Sequence, residues 1–151
     1  MKRSTTALAF ASALALALIT AAGGAWAQAT PAGLWKTIDD ETKQERSLVR
    51  VTDTAGVISG KIEKITEAGK ADAKCEKCEG ERKDKPITGL GIIEGAKKNA
   101  EGTAWEGGTI LDPNNGKTYK LRLTPKDGGK TLEVRGYIGF LYRNQTWIRV
   151  E

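Results

Sequence analysis

Between Gly33 and Val150, short runs of alternating apolar and polar side chains are separated by clusters of Gly, Asp, Asn and Pro. In 57–66, Ile58, Gly60 and Ile62 fall on one face and Ser59, Lys61 and Glu63 on the other. In 117–124, Tyr119, Leu121 and Leu123 oppose Thr118, Lys120 and Arg122. A repeat of two puts alternate side chains on opposite faces of an extended chain, so such a run buries one face and wets the other. Eight runs are expected as strands: 33–38, 47–52, 57–66, 87–93, 103–111, 117–124, 131–138 and 144–150. The segment Asp112-Pro113-Asn114-Asn115-Gly116 is a hairpin signal, because Pro presets φ and Asn-Gly tolerates positive φ. Asp127-Gly128-Gly129 turns the chain again. No stretch carries a convincing helical period. Short connections favour antiparallel neighbours. The expected fold is therefore all-β, a small antiparallel eight-stranded up-and-down barrel, with a sandwich as the alternative. Closure leaves no unpaired edge.

One segment departs from this pattern. Residues 67–85 hold 12 charged residues in 19, six of each sign, and no apolar side chain larger than Ala apart from Cys75 and Cys78. Structureless connections of this length are uncommon in compact domains and are often functional. A charged loop across the barrel mouth, acting as a lid, is the expected arrangement.

The first residues carry an address. Lys2 and Arg3 precede an apolar run over 7–22, and Ala25-Trp26-Ala27 supplies small residues at a cleavage site. Basic start, short apolar core and A-x-A together read as a secretory signal over 1–27. The run is 16 residues long, short of the roughly 20 that span a bilayer as a helix. Gln28 stands where a lipid-anchored protein needs Cys. Removing 27 of 151 residues leaves 124, enough for one domain over 28–151. The expected address is the periplasm or the extracellular medium, with no membrane span after processing.

Composition narrows the chemistry. Without Lys2 and Arg3 the chain has 22 basic and 19 acidic residues, a net charge of +3, with the two signs interleaved. Nucleic-acid binding calls for a concentrated basic face, so no nucleic acid is expected as a partner. The chain has no histidine, which excludes Ser-His-Asp triads, Cys-His dyads and His-ligated metals. Acidic neighbours such as Asp39 and Asp40 lie in turns with no visible cause for a perturbed pKa. No catalytic group, cofactor or metal is expected. The calcium-loop reading of Asp112–Gly116 fails because Leu123 stands where an EF-hand needs Glu.

Cys75 and Cys78 frame a C-x-x-C. In an exported chain they are expected to pair as a disulfide. A redox dithiol and a metal site completed by carboxylates or a second chain are the alternatives. Aromatic residues are few. Trp105, Tyr119 and Tyr137 are the expected contacts for a ligand inside the barrel, although one step of register would reverse their direction.

Several motifs taken together resemble a known family. They are Gly33-x-Trp35, Cys75-x-x-Cys78, Gly107-Gly108-x-Ile110-Leu111-Asp112-Pro113-x-Asn115-Gly116-Lys117-x-Tyr119, Val134-Arg135-Gly136-Tyr137 and Gln145-x-Trp147-x-Arg149. The chain is similar to exported bacterial proteins grouped as domain of unknown function 2147. That resemblance implies a lipocalin-like barrel and names no activity. Gly33-x-Trp35 and Arg149 are also similar to the lipocalin pattern, which implies that Trp35 and Arg149 close the base of the barrel. The first functional expectation is non-enzymatic binding of a small, partly apolar ligand. An envelope protein-interaction or structural role is the second, and thiol–disulfide chemistry at Cys75 and Cys78 the third.

Overall fold

The computed structural model describes residues 29–151, so the signal segment expected over 1–27 lies outside the described residues. Eight strands follow in order: β1 (Gly33–Ile38), β2 (Glu45–Thr54), β3 (Val57–Ile65), β4 (Gly91–Lys98), β5 (Trp105–Asp112), β6 (Lys117–Lys126), β7 (Thr131–Ile138) and β8 (Leu141–Arg149). Each pairs antiparallel with its neighbour in the chain, and β1 pairs with β8 through Trp35↔Arg149 and Thr37↔Trp147. The sheet closes on itself as an up-and-down barrel.

Alternation places the core. Trp35, Val49, Ile58, Leu123, Leu132 and Trp147 are buried and belong to one apolar cluster. The outward positions carry ion pairs across neighbouring strands: Lys36–Glu45 at 2.8 Å, Arg50–Glu63 at 2.9 Å and Arg122–Glu106 at 3.7 Å. A membrane-spanning barrel is apolar outside and polar within; this barrel has the opposite polarity. Among the described residues no helix is long and apolar enough to cross a membrane.

The fourth strand lies further along than the alternation suggests. The sequence points to 87–93, yet β4 runs Gly91–Lys98. Ile87 and Leu90 instead end the long connection, where Gly89 N–H donates to Ile62 O (2.7 Å) and Ile62 N–H to Leu90 O (3.0 Å). Glu94, Lys97 and Lys98 disguise the strand because they occupy exposed positions. Glycine makes the neighbouring contact: a Cβ on Gly108 would strike the backbone of Glu94 and Ala96, so β5 approaches β4 only without a side chain there. β8 also starts earlier than 144. It follows a two-residue turn at 139–140, with Gly139 at φ 61°, the left-handed geometry that tight hairpins require.

The two ends of the barrel differ. At one end lie the short connections 55–56, 99–104 and 127–130 and the residues before β1. Here Arg149 closes the base. Its guanidinium lies 4.1 Å from the Trp35 ring and donates to the carbonyls of Ala32 (2.9 Å), Thr30 (2.6 Å) and Gly129. Trp35 Nε1–H donates to Pro31 O at 2.7 Å. A Cβ on Gly33, at φ 144°, would collide with the same guanidinium. The other end carries the connections 39–44, 66–90, 113–116 and 139–140 and forms the mouth.

Candidate functional site

Below the mouth lies a cavity of about 830 Å³. Its volume falls in the roughly 300–1,000 Å³ range of small-molecule sites. The deep wall is apolar, with Ile62, Ile92, Val134 and Trp147, and Ile65, Ile87, Ile110 and Ile138 continue it upward. Gly136 makes room on β7. A Cβ there would sit 3.7 Å from Tyr119 Cβ and 3.9 Å from Ile110 Cγ2, so a larger side chain would project into the chamber.

Polar atoms on the wall are largely satisfied by one another. Thr37 Oγ1 and Ser47 Oγ lie 2.8 Å apart, and Ser47 N–H donates to Thr37 Oγ1 at 3.1 Å. Gln145 Oε1 accepts from Trp147 Nε1–H at 3.2 Å, leaving Gln145 Nε2 without a protein partner among the described residues. A ligand is therefore offered apolar surface at depth and one amide donor part-way up.

The rim is charged and internally paired. Arg46 joins Asp39 (3.0 Å) to Glu67 (3.3 Å) and donates to Asn114 Oδ1 at 3.4 Å. Arg143 pairs with Asp40 at 2.7 Å. The backbone N–H and hydroxyl of Thr42, the Glu41 N–H and the Arg46 charge hold the Asp39 carboxyl below the usual carboxylate range. Asp40 raises the basicity of Arg143. At the base, burial lowers that of Arg149.

The charged segment lies over one side of this mouth. Lys70, Ala73, Lys74, Glu76 and Lys77 line the cavity, and the three lysines form no ion pair among the described residues. The segment is pinned by backbone bonds: Cys75 N–H to Lys85 O at 2.8 Å, Ile87 N–H to Ala73 O at 2.9 Å, and Glu67 N–H to Arg46 O at 3.1 Å. Cys75 and Cys78 form a disulfide and are buried in the core cluster. Gly116, at φ 73°, lies so close to the Lys77 carbonyl that any Cβ would collide with it. Thiol exchange requires an accessible sulfur. A buried bridge serves instead to staple the segment.

The three expected ligand contacts separate. Tyr119 is in the cavity wall, its hydroxyl accepting from Asn115 Nδ2 at 3.0 Å. Trp105 is buried towards the base, opposite Leu123 and under the Lys98 ammonium at 5.1 Å, and does not line the cavity. A register shift between Glu106 and Gly108 separates its part of β5 from the part facing the chamber. Tyr137 points outward, paired edge to face with Tyr142 at 6.3 Å, because Val134, Gly136 and Ile138 take the inward positions on β7. Gln145, Arg46 and Arg143 were not singled out as contacts by their type, since each reads as ordinary strand polarity. The spacing Gln145-x-Trp147, which puts both on one face, is the signal that reaches Gln145.

The closed sheet, apolar interior and chamber at one end define a lipocalin-like β-barrel. The chain belongs to the family described as "Uncharacterized protein conserved in bacteria (DUF2147)", whose model matches residues 33–149. Its fold is similar to a solved structure of protein HP1028 from the human pathogen Helicobacter pylori, described as belonging to the lipocalin family. That likeness has a TM-score of 0.67 and 18% sequence identity, and covers 80% of this chain and 82% of the other. At that identity it speaks to fold alone. No curated protein matches the chain.

Proposed function

We propose that this protein binds, without chemical conversion, a small and partly apolar ligand in the barrel chamber. The observation that carries this reading is the cavity of about 830 Å³, apolar at depth and opening on a polar rim. An apolar body would occupy the space beside Trp147 and Val134. A polar group would meet Gln145 Nε2 or, nearer the mouth, Lys70, Lys74 and Lys77. Burial of apolar surface supplies most of the binding free energy, at about 25 cal/mol per Å² before association costs. The few polar groups fix orientation. The signal-like start of the sequence supports action outside the cytoplasm, in the periplasm or the medium.

Native mass spectrometry of protein purified from its own host tests this reading. The expected spectrum contains a noncovalent small-molecule adduct at one copy per barrel. A protein that stays ligand-free under every growth condition, with no apolar compound retained from host extracts, would remove the proposal.

A further inference from the structure

Donors and acceptors are unequally spent along the chamber wall. Trp147 Nε1–H can only donate, so the Gln145 amide beside it turns its oxygen towards the indole. The nitrogen is thereby fixed as the end without a protein partner among the described residues, and it offers two hydrogens and no acceptor. Gln145 stands opposite Val134 in the β7–β8 ladder, and both line the chamber. Thr37 and Ser47, on the next two strands around the barrel, repeat the imbalance. A single hydrogen bond joins their hydroxyls, and Ser47 N–H also donates to Thr37 Oγ1. That bond uses one of the two hydroxyl hydrogens and leaves the other without a protein acceptor among the described residues. The Tyr119 hydroxyl accepts from Asn115 Nδ2, and its own hydrogen is likewise unused.

The acceptors nearby are already engaged. Asp39 Oδ1 takes the Glu41 and Thr42 N–H groups and the Thr42 hydroxyl, and Oδ2 takes the Arg46 guanidinium. Asp112 accepts from Asn114 N–H and Asn115 Nδ2. Glu41 and Glu76 form no ion pair among the described residues, but both are exposed at the rim with Lys70, Lys74 and Lys77. Solvent screens these opposed charges, so the choice of ligand falls to the groups below them. A ligand group that only donates would leave water at Gln145 and find an N–H facing it. A carbonyl oxygen would be met by that N–H. Resting on the reading of the chamber as a binding site, we infer that it selects apolar molecules carrying a hydrogen-bond acceptor of the carbonyl type. Gln145 determines that preference, and Trp147 holds its amide in the required orientation.

Equilibrium dialysis with 2-acetylnaphthalene and with 2-ethylnaphthalene, which has nearly the same outline without the oxygen, tests the inference. Gln145→Glu, at about pH 8 where the carboxyl is ionised, keeps an oxygen for the Trp147 N–H and puts a second oxygen in place of the amide nitrogen. Affinity for the acetyl compound relative to the ethyl compound is expected to fall about tenfold from wild type to this variant. Infrared spectra supply a readout that does not depend on the variant. The carbonyl stretch of 2-acetylnaphthalene bound to wild type should lie below its position in hexane, and it should move back towards that position in Gln145→Glu. An unchanged relative affinity, a wild-type stretch at the hexane position, or one shared by both proteins would overturn the inference while leaving the chamber a binding site. Failure of wild type to bind either compound would overturn it together with the reading on which it rests.

Discussion

Arg149 ties the last strand to the segment before β1 and to the β6–β7 turn through three backbone carbonyls, while its guanidinium covers Trp35. Replacing it with Met keeps the stem that packs on the indole and leaves those carbonyls without their donor. The expected loss is about 2–4 kcal/mol, read as a lower urea midpoint at an unchanged m-value. Arg149→Lys should fall between the two, since an ammonium cannot reach three acceptors in the geometry of a planar fork. Asp39 belongs to the other end. Its carboxyl titrates lower in the folded protein than in the unfolded chain. The stabilisation it gives is therefore complete above the unfolded value near 3.9 and is lost as pH falls through the lower folded value. Tm measured against pH should drop below about pH 4, and Asp39→Asn should flatten that acid limb. The Trp35–Arg149 pair was legible from the resemblance of Gly33-x-Trp35 and Arg149 to the lipocalin pattern. The Asp39–Arg46–Glu67 chain was not, because all three lie just beyond the ends of the strands expected at 33–38, 47–52 and 57–66, where alternation gives no pairing.

At the scale of elements, the segment between β3 and β4 is held by its backbone bonds, its buried disulfide and the close approach of Gly116 to Lys77. A bridge across a four-residue loop contributes about 2 kcal/mol in the chain-entropy model. Cys75→Ser/Cys78→Ser should therefore lower Tm by several degrees and leave the far-UV circular dichroism of the barrel unchanged. Gly116→Ala removes the room for Lys77 and should loosen the same segment, seen as faster amide exchange over 70–85 while β1 and β8 stay protected. Strand positions were readable where large apolar side chains mark the inward face, as Ile58 and Ile62 do in 57–66 and Leu121 and Leu123 in 117–124. They were misread at β4, where Gly95 and the exposed Glu94, Lys97 and Lys98 leave a polar surface pattern and only Ile92, Ile93 and Ala96 are buried. They were also misread at β8, whose first residues, Leu141 to Asn144, are all exposed. Burial alternation cannot mark a strand that stands clear of the core.

For the whole molecule, ladder closure between β1 and β8 leaves an interior whose base is filled by Trp35, Leu123 and Leu132, with the chamber lying towards the mouth. Which aromatic residues face that space was beyond a period-two reading, because the register shift in β5 and the phase of β7 decide it. Tyr119 lines the chamber, whereas Trp105 packs below it and Tyr137 lies outside. Gly136 leaves part of that space open, since a Cβ there would meet Tyr119 and Ile110 at ordinary contact distances and a longer side chain would enter the chamber. Titration with 1-anilinonaphthalene-8-sulfonate, an apolar and anionic fluorophore, tests whether that volume is a binding site. It is best done in Phe140→Ser/Leu141→Ser protein, so that these two exposed apolar side chains of the β7–β8 turn add no signal. The expected result is saturable enhancement at one dye per barrel, weakened several-fold by Gly136→Leu, whose side chain takes up part of the chamber, without loss of strand content. No binding, or equal binding in the presence of Gly136→Leu, would contradict a ligand chamber in this barrel.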